Sequence, residues 1–297
     1  MNSNQLTQNE LLIIAKYFNK IDDYINLSKT CKRNNINYLF NYNPISITNL
    51  NIFSNIKTQY LYSKSDIKLN VPNYKVWYRA DYDEFLKNNI NNIEYRKIIL
   101  KNGYFRNKNI HDIVLPDNLI KIETWCFQNC SNLTEIILPN SLIEISDCCF
   151  WDCSSLKEII LPSNLTRIGN GCFHNCSSLK EITLPNKLTE LGNSCFRCCS
   201  SLSEITLPNN LIKIGVLCFR ECSSLSEITL PISITKIGDW CFENCSSLKE
   251  IILPNSIIEI GNGCFKNCIS LSKIIVMNPE LKLNNIPDNV RIEYHNQ

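Results

Sequence analysis

The sequence predicts an α+β solenoid in which short parallel strands are stacked with short helical turns, preceded by a small helical head. Three observations carry that expectation. Seven prolines (Pro116, Pro139, Pro162, Pro185, Pro208, Pro231 and Pro254) stand 23 residues apart. Each opens a copy of one motif, Pro-x-x-Leu-x-x-Ile-Gly-x-x-Cys-Phe-x-x-Cys-Ser-Ser-Leu-x-Glu-Ile-x-Leu. Within each copy the apolar spacing changes from that of a strand to that of a helix. A fixed period of 20 to 50 residues is the mark of stacked repeats. Across the 297 residues, 44% are hydrophobic and the formal net charge is +2, which suits a folded chain and gives no general attraction to nucleic acid or anionic membranes.

The head comes first. Residues 6–33 read as two helices, the first capped by Asn9 with Leu11, Leu12, Ala15 and Phe18 on one face, the second carrying Ile21, Tyr24, Ile25, Leu27 and Cys31. A Leu-Leu pair, an aromatic end, the Asp22-Asp23 break and a Leu-x-x-x-Cys-Lys close are similar to an F-box. That resemblance implies docking onto the Skp-type adaptor of a cullin ubiquitin ligase through Leu11, Leu12, Phe18, Tyr24 and Leu27. A Leu6-Thr7 opening replaces the usual Leu-Pro, and the third helix is not apparent. The same pair could simply cap the solenoid, so residues 1–40 are assigned as an F-box-like head or cap. The apolar run from Leu11 stops at Lys16, too short for a signal peptide or a membrane span. We expect a cytoplasmic chain without membrane insertion, the alternative being a cell-surface protein exported by an unconventional route.

Residues 41–110 read as an α+β connector, with an alternating strand at Tyr74 to Tyr78 and a short helix near Tyr82 to Asn88. The repeats follow from residue 111. In the copy from Pro162 to Leu184, Ile159 and Leu161 share one face of the preceding strand while Glu158 and Ile160 point away. Proline ends the strand. Leu165 and Ile168 belong to a second extended segment, and Gly169 suits a positive φ or a close backbone approach. Cys172, Phe173, Cys176 and Leu179 then fall at the spacing of a short helix. Stacking buries each position on its own kind in columns. From about residue 277 the pattern gives way to a C-terminal cap.

These motifs resemble the BspA-type leucine-rich repeats, a 23-residue family of bacteria and parasitic protists, and residues 34–110 resemble the stretch preceding the repeats in its protist members. The resemblance implies protein or surface recognition, sometimes as a surface antigen, and implies no chemistry.

Fourteen of the 17 cysteines lie in two columns, one from Cys126 to Cys264 and one from Cys130 to Cys268. Thiolates four residues apart could share zinc, but with three histidines and no recurring Cys-x-x-Cys pair a column of buried, reduced thiols fits better. We expect no metal or other cofactor. His174 occupies a variable slot and is expected at the surface, without the orienting third group a Cys-His nucleophile needs. The glutamates give every carboxylate the same setting, which is unsuited to acid/base catalysis. No enzyme is expected.

The candidates for partner contact are therefore surface columns. Glu135, Glu158, Glu181, Glu204, Glu227 and Glu250 form one, beside an outward column in which Thr183, Thr206 and Thr229 stand between isoleucines. Trp125, Trp151, Trp240, Arg197 and Arg220 are the irregular positions with the residue types that dominate interfaces. A third column, Lys121, Glu144, Arg167, Glu190, Lys213, Lys236 and Glu259, sets most stacked neighbours at opposite sign and reads as register support. The partner expected is a protein of unspecified identity.

Overall fold

A computed structural model of the chain describes residues 58–61, 73–88, 93–111, 113–284 and 286–295. The expected helical head, with Leu11, Leu12, Phe18, Tyr24 and Leu27, lies outside the described residues. The chain forms two compact units, residues 1–98 and 99–297.

In the first unit β1 (Thr58–Leu61) pairs in parallel with β2 (Asn73–Asp81), α1 spans Tyr82–Asn88, and β3 (Ile93–Leu100) begins. The strand at Tyr74 to Tyr78 and the helix after it fall where the sequence places them. Asp81 starts the helix by accepting a hydrogen bond from the Glu84 N–H at 2.9 Å, an N-cap contact.

The second unit is a β-solenoid of short coils. In chain order its strands are β4 (Leu119–Ile122), β5 (Glu135–Ile137), β6 (Glu144–Ile145), β7 (Glu158–Ile160), β8 (Arg167–Ile168), β9 (Glu181–Thr183) and β10 (Glu190–Leu191). They continue as β11 (Glu204–Thr206), β12 (Lys213–Ile214), β13 (Lys236–Ile237), β14 (Glu250–Leu253), β15 (Glu259–Ile260), β16 (Lys273–Val276) and β17 (Arg291–Tyr294). Each coil gives one strand to each of two parallel ladders, except that the segment Glu227 to Thr229 before Pro231 forms no strand. The strands that precede the prolines, with β16 and β17 after them, pair as β5-β7, β9-β11 and β14-β16-β17; those that follow them pair as β4-β6-β8 and β10-β12-β13-β15. Every pair is in register, as in Ile136 with Ile159 and Ile214 with Ile237.

The third side corrects the sequence reading, because the segment holding Cys, Phe and Cys is not a helix. It is a turn with two residues in the left-handed region four positions apart, such as Cys148 (φ 54°) and Asp152 (φ 59°). Eight such turns occur among the described residues, from Gly103 and Asn107 to Gly263 and Asn267. A right-handed helix cannot run through these positions. The N–H groups a helix would use internally point along the solenoid instead: those of Cys148, Phe150 and Asp152 donate to the carbonyls of Asn170, Cys172 and His174 one coil on, at 2.8 to 2.9 Å. The two cysteines and the phenylalanine still face inward, so their spacing imitates a helix. Asn recurs at the second left-handed site, at Asn129, Asn175, Asn244 and Asn267, because its short polar side chain tolerates that region. Next to the cysteine column, this preference yields Asn-Cys-Ser at residues 129–131, 175–177 and 244–246.

The stack also begins before residue 111. Gly103 to Asn107 form a turn of the same kind, the Phe105 N–H donates to the Cys126 carbonyl at 2.8 Å, and the Phe105 ring stacks on Phe127 at 5.1 Å. The phenylalanines continue through Phe150, Phe173, Phe196, Phe219 and Phe242 to Phe265, with ring centroids 5.1 to 5.8 Å apart and planes within 9° of parallel. All seven from Phe127 onward are fully buried. Phe196→Ala, at the middle of the column, is expected to destabilise the chain by about 3–5 kcal/mol in urea unfolding; a loss of less than about 1 kcal/mol would mean that the column is not tightly packed.

Candidate partner-binding face

The first strand ladder presents its alternate residues outward with exposed–buried–exposed regularity. Glu135, Glu158, Glu181, Glu204, Glu227 and Glu250 are all exposed, and so are Thr183, Thr206 and Thr229. Parallel pairing brings like onto like, Glu181 beside Glu204 and Thr183 beside Thr206. The two columns run side by side because their members lie two residues apart, on the same short strand in every coil but that of Glu227 and Thr229. At the C-terminal end Lys273 succeeds the glutamates and pairs with Glu250 at 3.2 Å.

The isoleucines flanking the threonines continue the same outward column, as the sequence reading places them. Ile137 is 82% exposed, Ile160 73% and Ile252 50%. Their signal was an apolar side chain at an outward strand position, which alternation makes visible. An open groove of about 660 Å³ on this face is lined by Glu158, Glu181 and Glu204 together with Ile160, Thr183 and Thr206.

The tryptophans and arginines lie elsewhere, on the turn side, and the structure does not bring them to the glutamates. Trp125 and Trp240 occupy the first left-handed position and are 43% and 42% exposed. Trp240 lies over Gly263, where a Cβ would come within 2.6 Å of its ring; Trp151 covers Gly171 in the same way and stacks on His174 at 3.8 Å. These glycines adopt positive φ (57° and 60°) and leave room for an indole. His174 is buried beneath Trp151, contrary to the surface position expected. Burial, followed by the nearby Arg197, lowers its pKa, so the imidazole is neutral at pH 7. Arg220 is held by Glu243 at 2.9 Å and Glu221 at 3.3 Å, with Lys266 on the far side of Glu243 at 3.7 Å. Arg220 is thereby committed to a half-buried charge ladder between coils.

The opposite strand ladder carries the charges of mostly alternating sign as register support. Glu144 sits between Lys121 at 3.3 Å and Arg167 at 2.7 Å, and Lys236 pairs with Glu259 at 2.6 Å. Burial alone would raise the Glu144 carboxyl, but hydrogen bonds from Lys121 and Arg167 outweigh it and hold the pKa below the ordinary value. The regular glycines meet the close-approach expectation: a Cβ on Gly215 would fall 2.7 Å from the Asn193 backbone nitrogen.

The cysteine columns are buried, and their thiols are donors. Cys153, Cys176, Cys199, Cys222, Cys245 and Cys268 each donate to the carbonyl of the phenylalanine 26 residues earlier, at 3.0 to 3.1 Å. Cys130 does the same to Phe105 at 3.1 Å. Burial pushes these thiols up, Cys130 to about 11 and Cys126 and Cys218 to about 12, from an ordinary value near 9. Among the described residues no group of three or more His, Cys, Asp or Glu side chains could hold a metal ion.

This arrangement defines a class of protein, the parallel β-solenoid of short leucine-rich coils. Within it, the model of the BspA type leucine rich repeat region matches six copies over residues 97–226 and 190–290, and the chain belongs to that family. A leucine-rich repeat protein from Bacteroides ovatus is 20% identical, with 81% of this chain and 84% of that one covered and a TM-score of 0.43. The T. pallidum leucine-rich repeat protein is 29% identical over 48% of this chain, with a TM-score of 0.37, and the match spans 58% of that protein. A leucine rich cell surface protein from Faecalibacterium prausnitzii is 17% identical, covering 81% of this chain and 88% of its own, with a TM-score of 0.37. No curated protein matches the sequence.

The thiols set the pH dependence. A thiol is neutral when protonated, so burial makes the folded state keep protons that the unfolded chain releases above about pH 9. Stability is full below that value and falls as pH rises toward 11 to 12, by up to about 1.4 kcal/mol per pH unit for each thiol in that window. Urea midpoints should therefore be flat from pH 6 to 8 and drop steeply above pH 9; a flat profile through pH 10 would contradict buried thiols.

Proposed function

We propose that this chain is a non-enzymatic protein-interaction module whose partner docks on the strand face bearing the glutamate and isoleucine–threonine columns. The observation that carries the reading is the surface left unused there. The opposite ladder consumes its charges in coil-to-coil pairs and the turn side consumes Trp151, Arg220 and Glu243 in packing, whereas Ile137, Ile160 and Ile252 stand exposed in line with six carboxylates. Contiguous exposed apolar groups rimmed by charge are what protein partners cover, and solenoids present such faces to them. The partner this surface suits is cationic beside the glutamates and apolar beside the isoleucines. Trp125 and Trp240, half exposed on the turn side, serve as the comparison surface.

The reading places folding in a reducing compartment, in line with the cytoplasmic expectation, because sixteen free cysteines among the described residues are at odds with oxidising surroundings. Export to the cell surface after folding is the alternative, and protease shaving of intact cells separates the two.

The test is affinity capture of cross-linked partners from the native cells with three variants. Glu181→Lys together with Glu204→Lys is expected to lose a partner that the wild type retains, by about tenfold or more, with the unfolding midpoint unchanged. Trp125→Ser with Trp240→Ser should retain it. The reverse pattern moves the site to the turn side. A Skp-type adaptor and cullin that disappear on removal of residues 1–40 would instead make the head, through Leu11, Leu12, Phe18, Tyr24 and Leu27, an F-box dock.

A further inference from the structure

Among the described residues β17 (Arg291–Tyr294) is the outermost strand of its sheet and pairs on one side only, with β16. Parity fixes which of its backbone groups are unused. The Arg291 N–H donates to the Ser272 carbonyl at 2.9 Å and the His295 N–H to that of Val276 at 3.0 Å, so the odd-numbered residues bond inward. In a parallel pair the intervening residues turn their N–H and C=O the other way, which leaves those of Ile292 and Tyr294 facing outward. Their side chains are 36% and 52% exposed.

Such an edge is a template for another strand. The sequence on this edge is complementary to itself. Arg291 and Glu293 project from one face, with Nε and Oε1 3.2 Å apart. Place a two-fold axis at Ile292 and run a second β17 antiparallel to the first. Ile292 then faces Ile292 of the second copy, and because its backbone groups already point outward the two exchange both N–H···O bonds. The same register sets each Arg291 opposite Glu293 of the other copy, so that every cation lies between two carboxylates. Each Tyr294 N–H meets the Val290 carbonyl across the axis. Moving the axis to Tyr294 would discard both charge pairs. A two-fold interface is isologous and closes at two subunits, which ends the ladder without leading to a filament.

We propose that this chain forms a two-fold dimer by antiparallel pairing of β17 with β17 of a second copy, centred on Ile292. Sedimentation velocity of the full chain over a wide concentration range is expected to show a reversible monomer–dimer equilibrium. Glu293→Arg places arginine opposite arginine and should weaken dimerisation about tenfold or more. The swap Arg291→Glu with Glu293→Arg restores the complementarity and should restore the dimer. Ile292→Pro removes only an outward N–H, a change an edge strand tolerates, and should leave a folded monomer. The proposal is overturned if the wild type is monomeric at every concentration, if Ile292→Pro still dimerises, or if the charge swap is no better than Glu293→Arg.

Discussion

A peptide chain wound into coils of 23 residues must give each buried N–H and C=O a partner, and in this solenoid most of those partners lie one coil away. On two sides the requirement is met by parallel strands in register. On the third it is met by a less common device, a pair of left-handed residues four apart that turns alternate N–H groups along the stack, as at Cys148, Phe150 and Asp152. An unpaired buried backbone group costs about as much as a lost hydrogen bond, so a coil unable to make these turns could not sit against its neighbours. The phenylalanine stack, the thiol–carbonyl bonds and the charge ladders all presuppose this spacing.

The residue preferences follow from the same constraint. Where the second left-handed residue is needed, Asn or Asp mostly supplies it; where coils touch backbone to backbone, as at Gly215, no Cβ fits. Cysteine fills two columns because it is small, apolar and still a donor, able to reach the carbonyl 26 residues back. Some coils accept strain: Leu217 and Trp240 hold φ of 58° and 50°, a conformation that costs a bulky residue about 1–2 kcal/mol. Their neighbours compensate, most visibly Gly263, which makes room for the Trp240 indole.

Much of this was legible in the sequence. The proline step gave the period, alternation around Ile159 and Leu161 gave the strand and its exposed glutamate, and the sign pattern from Lys121 to Glu259 gave a ladder of ion pairs. The turn was misread, since Cys, Phe and Cys at helical spacing face inward equally well from a segment with two left-handed residues. Only the recurring Asn one residue before the second cysteine hinted at them. The Phe105 coil escaped notice because it carries neither the proline nor the cysteines, and because it lies 22 residues before Phe127. His174 looked exposed because a repeat motif does not say which variable position the neighbouring coil will cover; Trp151 covers it. For the candidate face, the Glu and Thr columns could be read from parity alone, whereas the groove between them depends on side-chain volumes in successive coils.

These features make a scaffold whose coils recognise one another on all three sides, and the proposed partner face is the outward surface of one strand ladder. Its foundation is the coil-to-coil hydrogen bonding of the turn side, and amide hydrogen exchange measures that directly. The account predicts that the N–H groups of Phe150, Phe173, Phe196 and Phe219 are protected as strongly as those of Ile182 and Leu184, which face β11 on the strand side. Exchange of the phenylalanine amides at the rate of an open surface turn, with the strand amides still protected, would contradict it.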